Sequence, residues 1–346
     1  MDTITLIKPD DFHLHLRDGA EMASVVHDSA RRFARAVIMP NLVPPIVSVE
    51  QALDYRRRIL AHLPQDPGFN PLMTLYLTDD TGRDEVDRVA ENEQVCAFKY
   101  YPAGATTNSA SGVTAIGKVM PLLEYMAQRD VPLLVHGEVT DAGVDVFDRE
   151  KVFIEQVLSP LVEDIGSLRI VFEHATTRDA VQFVTGAPAK VAATITPHHL
   201  MLNRNAMLSG GINPHHYCLP ILKREIHRQA LVDAATSGNP KFFLGTDSAP
   251  HPVRSKEKPP CCAGIYNAYA AIELYASVFD SMDSLDTLEN FASRNGARFY
   301  GLPLNTQTIT MRRERWRIPD TISFAGNMLV PFRAGESCQW KLLYER

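Results

Sequence analysis

The chain has 346 residues, 45% of them hydrophobic, enough to bury one large core or two smaller ones. Its formal net charge of −6 argues against a general affinity for nucleic acid, whose binders carry a basic patch. No window approaches the roughly 18 apolar residues of a membrane span, and the N-terminus lacks a basic segment followed by a long apolar stretch, so a cytoplasmic protein without membrane contact is expected. Five cysteines, Cys96, Cys218, Cys261, Cys262 and Cys338, contain no CxxC pair and predict reduced thiols, with Cys261 and Cys262 in an ordinary loop.

In chain order, eight short runs rich in Val, Ile, Leu and Phe read as strands: ITLIK, AVIMP, PLMTLYL, VCAFKY, VPLLVHG, RIVFEHA, KVAATIT and KFFLGT. Between them, segments such as VEQALDYRRRILAHL and GVTAIGKVMPLLEYMAQRD carry apolar residues at helical spacing. Strands that are continuously apolar predict burial on both faces. Their alternation with helices predicts an α/β fold, a (β/α)8 TIM-type barrel, with an open doubly wound sheet as the alternative. Residues 1–346 read as a single metal-dependent hydrolase barrel domain, the barrel spanning about 3–300 and a short C-terminal extension about 301–346. Arg31, Arg32 and Arg35 read as a solvated helix face. Residues 102–112, PAGATTNSASG, read as a mobile loop, either plain solvent loop or lid over the barrel mouth.

The chemistry sits at the ends of the apolar runs: His13 and His15 in HLHLRD, Lys99 in AFKYYP, His136 in LLVHGE, His174 in IVFEHAT and Asp247 in GTDSAPH. A parallel βα barrel gathers strand ends onto one face, so these distant residues are predicted to meet. His13 and His15, two apart on an extended strand, point to the same side and can reach one ion. Each histidine alone could be a core residue, but four histidines with a carboxylate at such positions predict a metal centre. A lysine ending a buried strand tends to lose its proton. The neutral amine can add carbon dioxide to form a carbamate, an anion suited to bridging two divalent ions. Arg17, two beyond His15, is expected at the same mouth, where a guanidinium pairs with a carboxylate and implies an anionic substrate, and Asn41 offers an amide donor beside it. Alternatively, Arg17 pairs with Asp18 and Asn41 merely makes a turn before the prolines of LVPP.

HLHLRD, MPNLVPP, FKYYPAGATTN, LLVHGE, VFEHATT, ITPHHLMLNRN, HYCLPILK and GTDSAPH, in unbroken order from about residue 5 to residue 300, resemble the amidohydrolase superfamily and, within it, the dihydroorotases of the short bacterial type. The resemblance implies that His13, His15 and Asp247 bind one Zn2+ and His136 and His174 a second. The two ions would be bridged by carboxylated Lys99 (N6-carboxylysine) and a hydroxide, with Asp247 as catalytic acid and base. It further implies that Arg17, Asn41 and His251 hold a substrate carboxylate, that the backbones of Leu219 and Ala263 hold the ring amide and the carboxylate respectively, and that Thr106 and Thr107 contact substrate from the lid. The implied reaction is the reversible hydrolysis of dihydroorotate, a small cyclic amide, to N-carbamoyl-L-aspartate in pyrimidine biosynthesis, by a homodimer.

Related readings are a hydantoin or dihydropyrimidine amidohydrolase, against which Arg17 and Asn41 argue, and a mononuclear deaminase, against which Lys99 argues. A non-catalytic scaffold subunit would be expected to have lost metal ligands. His198, His199, His215 and His216 fit either support of the site or surface positions, whereas His27, His62 and His227 are expected on exposed helical segments.

Overall fold

A computed structural model describes residues 2–65 and 68–343. Among these residues thirteen strands follow in chain order. They are β1 (Thr3–Ile7), β2 (Asp10–Leu14), β3 (Arg35–Ile38), β4 (Asn70–Tyr76), β5 (Val95–Tyr100), β6 (Leu133–Val135), β7 (Ile170–Phe172), β8 (Val191–Ile195), β9 (Phe242–Leu244), β10 (Thr308–Arg317), β11 (Ile322–Phe324), β12 (Asn327–Leu329) and β13 (Ser337–Leu343). β2 to β9 form one eight-stranded parallel sheet in sequence order, with helices between successive strands. Its edges meet where the His15 N–H donates to Ser248 O at 3.1 Å and the Asp247 N–H donates to His13 O at 2.9 Å. The sheet therefore curls into a (β/α)8 barrel, and its seam runs through two of the candidate metal ligands.

The first predicted barrel strand is displaced. ITLIK is β1, and it pairs antiparallel with β10, which pairs in turn with β13; the three make a separate sheet of N- and C-terminal strands. The barrel's first strand is DDFHL, wholly buried but masked in the sequence by its two aspartates and histidine. Both aspartates are paired: Asp10 takes a two-pronged ion pair from Arg35 on β3, and Asp11 accepts from the Thr246 N–H at 2.8 Å and the Thr246 hydroxyl at 2.5 Å. The arginine cluster is corrected too. Arg32 is buried against Glu273 and Arg35 against Asp10, so only Arg31 of the three is exposed.

Phe12, Val37, Leu72, Ala97, Leu134, Val171, Ala192 and Phe243, one from each strand, form the core inside the barrel, with Tyr300 against it. These inward positions set the phase for the strand ends, because side chains alternate with period two. Counting on by two reaches Asn41 from Met39, Lys99 from Ala97, His136 from Leu134, Glu173 from Val171 and, across Gly245, Asp247 from Phe243. Gly245 lies so close to its neighbours that a Cβ there would sit 2.7 Å from Thr194 Cβ and 3.1 Å from His13 Cβ. No helix among the described residues is long and apolar enough to cross a membrane.

Candidate metal centre and substrate pocket

At the C-terminal mouth, His13 Nε2 and His15 Nε2 lie 3.2 Å apart, and Asp247 Oδ1 lies 3.4 Å from the first and 3.2 Å from the second. Donors about 2.0–2.1 Å from a tetrahedral ion stand roughly 3.3–3.4 Å from one another, so this triangle has the dimensions of a metal site. On its other side the His13 ring lies 5.0 Å from that of His174, which lies 4.9 Å from that of His136. Burial pulls His13, His15 and His174 below the ordinary histidine pKa, which keeps the rings in the neutral form that ligates metals. Burial also raises the Asp247 carboxyl, against the pull of His13.

Backbone strain aims several of these groups. His174, Asp247 and Arg17 all have positive φ, at 42°, 44° and 64°. Each such non-glycine residue costs on the order of 1–2 kcal/mol. His174 is out of phase with the inward positions of β7, and the left-handed turn brings its side chain round to the mouth. Its N–H is held by Thr194 Oγ1 at 2.8 Å, and the following Ala175 N–H by Thr194 O at 3.0 Å.

Lys99 is fully buried, and its ammonium pairs with Glu173 Oε2. Burial lowers the lysine pKa and Glu173 opposes that shift, while burial would raise Glu173 but His13 and Lys99 outweigh it and hold the carboxylate ionised. Glu173 Oε1 lies 3.1 Å from His13 Nδ1, out of line for a hydrogen bond; both atoms lack a hydrogen-bond partner, as does buried His174 Nδ1. His13, Glu173 and His174 thus form a second group of potential metal donors, overlapping the first at His13. His136 Nε2 is 2.9 Å from Glu138 Oε2, which leaves Nδ1 as its free donor.

Beside the donors lies a cavity lined by Arg17, Asn41, Tyr101, Thr106, Thr107, Leu219 and Ala263. Arg17 does not pair with Asp18, which is taken by Arg58; its Nη2 lies 2.9 Å from His251 Nε2 and its Nε donates to Pro250 O. The same His251 Nε2 is 3.0 Å from Ala263 O. One nitrogen of a neutral imidazole cannot accept from arginine and donate to a carbonyl at once, so the pocket holds an unsatisfied contact. Residues 102–112 fold over the mouth: Asn41 Nδ2 donates to Thr107 O at 3.1 Å, Asn108 Nδ2 to Asn41 O at 3.0 Å, and Thr107 Oγ1 to Ala263 O at 3.4 Å. About 20 Å³ is left free, room for a single water.

The amidohydrolase family matches residues 3–312 of the chain. A dihydroorotase of Nitrosomonas europaea is 60% identical over 343 residues, covering 99% of this chain and 98% of the relative. The chain belongs to the dihydroorotase family of amidohydrolases. Among solved structures, dihydroorotase from Campylobacter jejuni superposes with a TM-score of 0.91 at 36% identity, covering 99% of this chain and 98% of that one. Dihydroorotase from Saccharomyces cerevisiae, in complex with 5-fluoroorotic acid, gives 0.91 at 32% identity, with 100% and 99% covered. Membership of this family and the histidine and aspartate groups suit a metal-binding enzyme.

Sequence reasoning missed several members of this site. Glu173 was one step from a named residue, and the inward phase set by Val171 selects it directly. Glu138 stands in the same phase beyond His136, and Tyr101 beyond Lys99, its buried hydroxyl without a partner. Of the remaining histidines, His198 and His199 are buried in the helix Pro197–Met201, and with Cys218 they form a third group of potential donors. Both His199 nitrogens are engaged, with Thr196 Oγ1 at 2.8 Å and Pro220 O at 3.0 Å, so this group braces the loop carrying Leu219. His27 and His62 are exposed, and His227 is half-buried, accepting from the Arg178 N–H.

Proposed function

We propose that this chain is a dihydroorotase, interconverting dihydroorotate and N-carbamoyl-L-aspartate in pyrimidine biosynthesis, with residues 1–346 acting as one unit. One observation carries the reading: a cluster of metal donors and the Arg17 guanidinium line a single cavity. The short donor-to-donor distances and the unpartnered His13, Glu173 and His174 atoms fit bound metal. His13, His15 and Asp247 would hold one zinc and His136 and His174 the other, with Lys99 carboxylated between them. When bound, the metal pair supplies a water ionised near neutral pH and polarises the scissile carbonyl.

The chain's own groups do the rest. Asp247 Oδ1 faces the two histidines, which leaves Oδ2 to take the proton as water oxygen bonds to the ring carbonyl carbon. It returns that proton to the ring nitrogen as the C–N bond breaks, releasing the ureido product. Arg17, Asn41 and His251 would hold the substrate carboxylate. An arriving carboxylate gives the Arg17 N–H groups an acceptor, so His251 Nε2 no longer has to accept from arginine and can carry a proton shared between the carboxylate and Ala263 O, resolving the frustrated contact. Substrates without that carboxylate, such as simple hydantoins, leave it unresolved. Leu219 and Ala263 would offer backbone groups, and Thr106 and Thr107 hydroxyls from the loop above. Residues 102–112 fold over a cavity with little free room, which supports reading them as a lid that lifts to admit the ring.

The test is ring opening of dihydroorotate by purified protein supplied with zinc and bicarbonate, beside Lys99→Ala, with metal counted by mass spectrometry. Turnover with about two zincs per chain, lost in the variant, supports the reading. Wild-type protein that takes up metal and opens no dihydroorotate ring overturns it. Sedimentation measures whether the enzyme is the homodimer expected of the family.

A further inference from the structure

Lys256 ends the short helix Val253–Lys256 and is 3% exposed, yet no carboxylate among the described residues pairs with it. Its ammonium spends all three N–H groups on backbone carbonyls: Tyr217 O at 2.8 Å, Cys262 O at 2.9 Å and Gly264 O at 2.8 Å. Burying a cation against neutral acceptors alone is costly, so a lysine so placed needs a reason. The three acceptors supply one. Cys262 and Gly264 flank Ala263, and Tyr217 stands two residues before Leu219, the two positions whose backbones would meet substrate.

The two stretches come from distant parts of the chain and touch through one direct backbone bond, Gly264 N–H to Tyr217 O at 3.0 Å. Gly264 is itself in a conformation that other residues avoid, with φ of 146°, and a Cβ there would lie 2.8 Å from Ala249 O. A segment so conformed has no regular secondary structure to hold it. We propose that Lys256 is a positioning residue for substrate, its ammonium clamping the Tyr217–Leu219 and Cys262–Gly264 backbones into one wall of the pocket. The assignment rests on the reaction proposed above. Small displacements of such a wall cost binding out of proportion to their size.

The groups whose charges act on the ammonium are the thiols of Cys218, Cys261 and Cys262 and the cations or imidazoles of Arg17, His198 and His251, and the Tyr217 ring lies 5.8 Å from it. Burial, the largest influence, pushes Lys256 down to about 8. As pH rises through that value the amine loses one of its three donors and turns a lone pair towards a carbonyl, so the clamp loosens in alkali.

Lys256→Met keeps the length and removes the donors; Lys256→Gln serves if that variant does not fold. In either, KM for dihydroorotate and the Kd for 5-fluoroorotic acid at pH 7 should rise about tenfold or more, while kcat stays within about threefold and metal content is unchanged. The wild-type rise in KM between pH 7 and 9.5 should disappear from the variant. Amide hydrogen exchange should quicken at 217–219 and 262–264 and not in the barrel strands. KM and Kd within twofold of wild type, kcat loss at unchanged KM, or unaltered exchange in those segments would each overturn the clamp. Failure of the wild type to open dihydroorotate would instead overturn the functional reading, and the exchange measurement would still decide the clamp.

Discussion

Lys99 and Glu173 form an ion pair with both side chains at zero exposure, and the other Glu173 oxygen lies 3.1 Å from His13 Nδ1. As an amine, Lys99 needs this partner. As a carbamate it would be an anion and could not stay against an ionised carboxylate, so carboxylation and the ion pair exclude each other. Glu173→Gln should destabilise metal-free protein by about 3 kcal/mol, because a buried lysine loses its counter-charge. Zinc with bicarbonate should recover most of the loss. Urea unfolding with and without metal measures both, and a variant as stable as wild type without metal would contradict the pairing.

Asp247→Asn keeps the shape of the side chain and removes its ability to carry the proton. Turnover of dihydroorotate should fall by roughly 10²–10⁴, the usual worth of a positioned acid or base. His13 and His15 remain, so the protein should still bind metal. Loss of turnover in step with complete loss of metal would reduce Asp247 to a ligand alone.

Arg17→Lys keeps the charge but loses the two-pronged geometry, and an ammonium cannot reach Pro250 O and a substrate carboxylate together. KM should rise about 10–100-fold, the equivalent of roughly 1.5–3 kcal/mol for a charged hydrogen bond, with a smaller change in kcat. Steady-state kinetics separate the two, and a fall in kcat at constant KM would place Arg17 elsewhere in the mechanism.

Burial pulls His199 down to about 4, against about 6.5 for an unperturbed histidine. Between those values the unfolded chain binds a proton that the native protein does not. Its contribution is therefore intact above about pH 6.5 and lost as pH falls towards 4, with about 2 kcal/mol gone by pH 5. The other histidines add to the acid limb, so the test compares slopes: urea midpoints of metal-free wild type and His199→Gln at pH 7 and pH 5. Equal acid losses in both proteins would show that His199 titrates normally.

The strand-end residues were legible because a period of two and a βα alternation survive in the linear sequence. Ala97 to Lys99 and Leu134 to His136 need only that rule, Phe243 to Asp247 needs it together with a left-handed turn at Asp247, and the barrel then brings them together. The same rule read more strictly would have named Glu173. It would not have named His174, which reaches the mouth through a backbone turn that leaves no compositional trace. DDFHL escaped notice as a strand because its two buried aspartates look like surface residues until their partners, Arg35 and Thr246, are placed beside them.

The sequence alone determined the fold class, the donor types and the cationic character of the pocket, since these follow from local patterning and side-chain chemistry. Only the tertiary structure decided which residues pair. Arg58, not Arg17, takes Asp18; Glu173 takes Lys99; β10, and not the barrel, takes β1; and Lys256 binds three carbonyls from two distant loops. Each choice is between partners far apart in the chain, and burial and geometry make it once the chain has closed on itself.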